Sequence, residues 1–103
     1  MTADASNSTD ASITDVPARQ RFEARSPAGE VVGFTAYQRD GDVVAMTHTE
    51  VDDAYEGQGV ASRLVRVALD QMRVQGLQID PQCPYVGSWI KRHADYQDLV
   101  ARS

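Results

Sequence analysis

Val51-Asp52-Asp53-Ala54-Tyr55-Glu56-Gly57-Gln58-Gly59-Val60-Ala61-Ser62-Arg63-Leu64-Val65 decides the reading of this chain. An alternating strand pattern runs into a turn with two glycines. The turn opens directly into an amphipathic helix. The first turn of a helix leaves backbone N–H groups without partners, and the helix dipole favours an anion there. Glycine lets the main chain approach a ligand closely. The stretch therefore reads either as a phosphate cradle built from backbone or as a tight strand-to-helix connection that binds nothing. No Gly-Lys-Ser/Thr follows, which excludes a P-loop. The Gly-x-Gly-x-x-Gly spacing of a dinucleotide fingerprint is also absent.

Working outward, Arg21–Arg25 alternates as a short strand, and Ser26-Pro27-Ala28-Gly29 is turn chemistry. Val31–Gln38 and Val43–Val51 read as strands joined by Asp40-Gly41, a strong hairpin signal. The three form an antiparallel meander. A helix is predicted from Gly59 to Gln75, with apolar rows Val60, Leu64, Ala68, Met72 and Ala61, Val65, Ala68, Leu69. Arg63, Arg66, Asp70 and Arg73 lie mainly off this stripe, and Gly76 follows as a C-terminal cap. Leu77–Asp80 is a fourth strand, stopped by Pro81 and running parallel to Val43–Val51. A second helix is expected from Pro84 or Tyr85 to His93, then a short helical piece over Ala94–Val100.

The chain has 103 residues, 42% of them hydrophobic, which allows one domain with a modest core. Residues 1–18 are rich in Ser, Thr, Ala and Asp and read as a disordered tail, leaving 19–103 as the domain. The net charge is −5, and Asp4, Asp10 and Asp15 of the tail carry three of those charges, so the domain is near balance. No basic footprint argues for nucleic acid. No apolar run suits a membrane span, and no signal peptide is read, so the expected location is cytoplasmic. Cys83 is the sole cysteine, which excludes an internal disulfide, and no metal-ligand pattern is present.

The loop Glu56–Ala61 resembles the coenzyme A pyrophosphate loop of the GNAT superfamily, Gln/Arg-x-x-Gly-x-Gly/Ala, with Gly59 and Ala61 at the last two signature positions. Glu56 stands where Gln or Arg is usual. His48-Thr49-Glu50-Val51, Cys83-Pro84-Tyr85-Val86 and His93-Ala94-Asp95-Tyr96 extend the resemblance to small single-domain GNAT-like acetyltransferases, over about Arg21 to Val100. Many of those have proline where this chain has Ala94. The resemblance implies an α/β (α+β) fold with a mixed, mostly antiparallel sheet flanked by two main helices. A parallel strand pair would splay apart at the cofactor. It implies acetyl-CoA or coenzyme A as cofactor and an amine as acceptor, whose identity is open.

On that reading Val51, Glu56, Gly57, Gln58, Gly59, Val60, Ala61, Ser62 and Arg63 are the cofactor-binding residues. Arg63, Lys91 and Arg92 are candidates for the cofactor's 3′-phosphate. Cys83 falls before Pro84 near a helix N-cap, where a thiolate is stabilised. It is either an acetyl acceptor or a small buried hydrophobe. Glu50 and His48 are candidate general bases, and strict alternation puts them on one strand face with Met46. Tyr96 corresponds loosely to a tyrosine that protonates the leaving thiolate in many GNAT proteins. Tyr85 and Trp89 read as packing residues, and His93 as a helix C-terminal cap. The expected assembly is a monomer or weak homodimer. A coenzyme A-binding or partner-binding module without efficient catalysis is the alternative, because the chain is short of the segments that usually build an acceptor pocket.

Overall fold

The computed structural model describes residues 11–101. A five-stranded sheet has the spatial order β1 (Ser12–Val16), β2 (Arg21–Arg25), β3 (Val31–Asp40), β4 (Val43–Val51), β5 (Gln78–Pro81). The first four strands pair antiparallel, and β4 and β5 pair in parallel. Helix α1 (Val60–Val74) connects β4 to β5, and α2 (Pro84–Lys91) follows β5. A 3-10 segment, Ala94–Leu99, closes the described chain. This is the mixed sheet with two main helices and one parallel pair that the sequence implied.

The core forms where α1 meets the sheet. Val60, Leu64, Val65, Ala68, Leu69 and Met72 are the buried residues of α1, which is the predicted stripe. They pack with Phe22, Val44, Met46 and Ile79, all at most 3% exposed. Trp89 of α2 is fully buried and donates its indole N–H to Ser62 Oγ at 2.8 Å, tying α2 to the first turn of α1. His93 stacks on that indole at 3.7 Å and places Nδ1 2.7 Å from the Trp89 carbonyl, as a cap at the end of α2. The last segment is held to α1 by Arg73, which donates to Asp98 and to the Asp95 carbonyl.

The first correction concerns the tail. Ser12–Val16 lies within the 1–18 stretch read as disordered, yet it pairs with β2 from Ser12↔Arg25 to Val16↔Arg21. Ala11 is buried at 4%, and Arg63 donates to its carbonyl at 2.9 Å. Ile13, Thr14 and Val16 are three β-branched residues within a polar stretch, and averaging over the stretch hides them. Residues 1–10 of the expected tail lie outside the described residues.

The second correction concerns β4. Ala36 pairs with His48, but the next residue, Tyr37, pairs with Met46. Thr47 is the extra residue of a β-bulge, and an extra residue reverses the alternation beyond it. Met46 therefore shares the helix face with Tyr37 and is fully buried, whereas His48 and Glu50 point to the opposite face and are exposed. Thr49 returns to the helix face, where its hydroxyl lies 2.9 Å from that of buried Thr35.

On the face opposite α1, Glu23 lies fully covered by arginines. Arg21 and Arg25 each reach it at 2.7 Å and Arg19 at 3.5 Å. Burial pushes its carboxyl up; hydrogen bonds and charge from Arg21 and Arg25 outweigh that and hold it below the usual 4.5. A carboxylate depressed in the fold contributes stability that is complete above 4.5 and is lost as pH falls through the lower folded value. Water over the arginines screens the cluster, so Glu23→Gln should cost about 1–2 kcal/mol at neutral pH. That deficit should shrink as pH drops below 4.5. Thermal unfolding of both proteins from pH 3 to 7 checks this; a deficit independent of pH would refute the assignment.

Candidate functional site

β5 ends at Pro81, paired with Met46, and the Cys83 N–H closes this end by donating to the Met46 carbonyl at 2.7 Å. From Thr47 to Val51, β4 has no β5 partner. The parallel pair thus opens toward the carboxyl end of β4, where α1 begins. Between them a 3-10 turn, Asp53–Tyr55, is capped by Asp52, whose carboxylate accepts the Ala54 N–H.

Gly57 and Gly59 both have positive φ, 78° and 81°, and Gly59 is the N-cap of α1. The N–H groups of Val60, Ala61 and Ser62 belong to the first helical turn and have no intrahelical acceptor. A Cβ added at Gly57 or Gly59 would meet no atom within 4 Å, so both glycines border open space. That space is a cavity of about 350 Å³ lined by Val51, Tyr55, Glu56, Gly57, Gly59, Val60, Ala61, Ser62 and Tyr85. First-turn amides without intrahelical acceptors, a helix N-terminus and glycine walls suit a diphosphate. Glu56 is exposed, so its carboxylate can turn to water.

The expected loop residues divide by what they can offer. Val60 buries its side chain at 1% and can contribute only its N–H. Gln58 folds back, donating its side-chain amide to the Ala54 carbonyl at 3.3 Å. Ser62 Oγ accepts from Trp89 and so anchors α2 beside the cradle. Arg63 reaches the Ala11 carbonyl, a structural link between α1 and the start of β1. Lys91 and Arg92 sit at the far end of α2 from Tyr85, about 10 Å along the helix axis, and neither lines the cradle.

Glu50 and His48 are brought together, with His48 Nε2 2.5 Å from Glu50 Oε2. Glu50 also lines a second hollow, about 450 Å³, with Arg21, Val31, Val32, Gly33, Phe34, Val51, Asp52 and Asp53. Val51 lines both hollows, and Glu50 precedes it on β4 with its carboxylate on the other face of the sheet. Gly33 is required beside it: a Cβ there would meet the Glu50 carbonyl at 3.0 Å and Val51 Cγ2 at 3.2 Å.

Cys83 is the N-cap of α2 with extended backbone, as the following proline dictates. Its thiol is 4% exposed, donates to Thr49 Oγ1 at 3.6 Å and does not line the cradle. Tyr96 is turned elsewhere. Its hydroxyl donates to Asp70 at 2.7 Å and accepts from Arg66 at 3.2 Å. Asp70 lies about 12 Å along α1 from Ser62. The Asp70 hydrogen bond, then burial, raise the Tyr96 pKa, which makes it a poorer acid. Two tyrosines line the cradle, Tyr55 of the 3-10 turn and Tyr85 of α2, and Tyr85 was read from the sequence as a packing residue. Its place immediately after Cys83-Pro84, at the first turn of a helix starting beside the cradle, was the available signal.

A family model for GCN5-related N-acetyl-transferases matches residues 21–99. Protein NATD1 of Homo sapiens is 37% identical over 51 residues, covering 50% of this chain and 45% of the human protein. The chain thus spans about half the length of the first curated relatives it matches. Among solved structures, a GCN5-like protein from Staphylococcus aureus superposes with a TM-score of 0.71 at 21% identity, covering 92% of each chain. The GNAT family N-acetyltransferase YhbS from Escherichia coli, solved in complex with CoA, gives 0.53 at 30% identity over 57% of this chain and 37% of that one. With the sheet, the glycine cradle and the family match over the same residues, the chain belongs to the GCN5-related N-acetyl-transferase family.

Proposed function

We propose that the protein transfers an acetyl group from acetyl-CoA to an amine. The cradle carries this reading: two positive-φ glycines open α1 onto a cavity bordered by first-turn N–H groups that have no intrahelical acceptor. Membership of the family and the CoA complex of YhbS support it. Acetyl-CoA, when bound, supplies an activated acetyl thioester. Val60, Ala61 and Ser62 would hold its diphosphate through their N–H groups. The edge of β4 from Thr47 to Val51, which has no β5 partner, would hold its arm. Glu50, with His48 hydrogen-bonded to it, takes the proton that the attacking amine must lose. Tyr85, a lining residue of the cradle, would be the group that supplies a proton to the departing thiolate. Direct transfer fits the enclosure of Cys83, which sits against Thr49 with little access to the cavity.

The first test is calorimetric titration with acetyl-CoA and coenzyme A. Gly59→Val should abolish binding, because a branched side chain there strains the backbone and projects into the cradle. Gly29→Val is the control: it has the same sign of φ, 91°, and the same open surroundings, in a turn outside the cradle. Both variants should lose about 1–2 kcal/mol of stability, and only Gly59→Val should lose the cofactor. Equal binding by both would overturn the diphosphate assignment. Absence of binding by the folded wild type would leave a partner-binding module.

Turnover with a panel of amines separates the side-chain roles. Glu50→Gln and Tyr85→Phe should each lower kcat about 100-fold or more, with cofactor affinity kept. Tyr96→Phe should lose stability and retain kcat, because its hydroxyl serves Asp70. The reverse ranking of Tyr85 and Tyr96 would refute the acid assignment.

Intact mass after incubation with acetyl-CoA addresses Cys83. Direct transfer predicts no acetyl adduct. An adduct that disappears in Cys83→Ala would establish a covalent route instead.

A further inference from the structure

At the far end of α1 from the cradle lies a separate cavity of about 350 Å³, within the size range of small-ligand sites. From Val60 to Met72 the two sites are about 18 Å apart along the helix. The floor is apolar: Phe22, Val44, Met72 and Leu77 are all at most 5% exposed, and the Tyr37 ring sits 5.6 Å from that of Phe22.

The rim carries opposite charges. Asp15 pairs with Phe22, and Arg39 pairs with Val44, so both charged residues stand on the helix face of the sheet above this floor. Asp15 Oδ1 accepts the Tyr37 hydroxyl at 2.6 Å, which fixes the carboxylate and leaves Oδ2 available. Arg39 donates Nε to the Gly41 carbonyl at 2.9 Å, which leaves both terminal nitrogens available. Among the described residues the two charges form no ion pair with each other. An apolar floor under an anion held by Tyr37 and an exposed cation complements a molecule with an ammonium, a carboxylate and an apolar group. We propose that this cavity binds a free α-amino acid with an apolar side chain, of the leucine or phenylalanine type. The ammonium meets Asp15 Oδ2, the carboxylate takes two N–H groups of Arg39, and the side chain lies over Phe22 and Met72.

The test is titration of the ¹⁵N-labelled full chain with L-leucine and L-phenylalanine, followed by two-dimensional amide spectra. Saturable shifts at Phe22, Tyr37, Val44, Met72 and Leu77 are expected. Leucinamide, lacking the carboxylate, and N-acetylleucine, lacking the ammonium, should bind at least about tenfold more weakly. Asp15→Asn and Arg39→Gln should weaken leucine by about the same factor. Arg39 is exposed and tied only to a turn carbonyl, so Arg39→Gln carries the test should Asp15→Asn fold poorly. Absence of saturable shifts overturns the proposal. So does equal binding of N-acetylleucinamide, which would mean an occupant held by its apolar group alone. Shifts confined to Gly57–Ser62 would place the ligand in the cradle and equally refute it.

Discussion

β4 carries one residue more than β3 can pair with between Ala36 and Tyr37, and Thr47 absorbs the excess. Before that point the strand buries Val44 and Met46 under α1 and holds β5 in parallel. Beyond it the helix face receives Thr49 and Val51, and the other face receives His48 and Glu50. The bulge lies next to the place where β5 stops pairing. A single backbone irregularity therefore separates a strand that builds core from a strand that borders two hollows. Without it, His48 and Glu50 would follow Met46 beneath the helix, where an unpaired carboxylate is costly to bury.

The large elements were legible because their signals are local and periodic. The stripe of α1, the Asp40-Gly41 turn and the glycines before Val60 each report on a few neighbouring residues, and the structure keeps all of them. The bulge at Thr47 was not legible: nothing in Met46-Thr47-His48 breaks the alternation, and the shift exists only relative to β3. Strand β1 was missed for a related reason. Ser12–Val16 is polar enough to pass for tail, and it becomes a strand because β2 offers an edge to pair with.

The candidate site divides in the same way. The cradle follows from sequence order, since its parts are consecutive. Tyr85 and Tyr96 could not be told apart by spacing, because their roles depend on which helix face meets what. Tyr96 faces α1 and is committed to Asp70 and Arg66; Tyr85 sits at the mouth of the cradle. Arg63, expected from its place in the loop to contact phosphate, also spans 52 residues of sequence to bind a carbonyl, a link that spacing could not show.

That last bond also has a bearing on the cradle. Arg63 belongs to the first turn of α1, so the Ala11 carbonyl it grips lies within one arginine's reach of the cradle. The described chain therefore begins, at Ala11, beside the cradle. Its other end lies at the opposite edge, where Ala101 donates to Ile79 of β5.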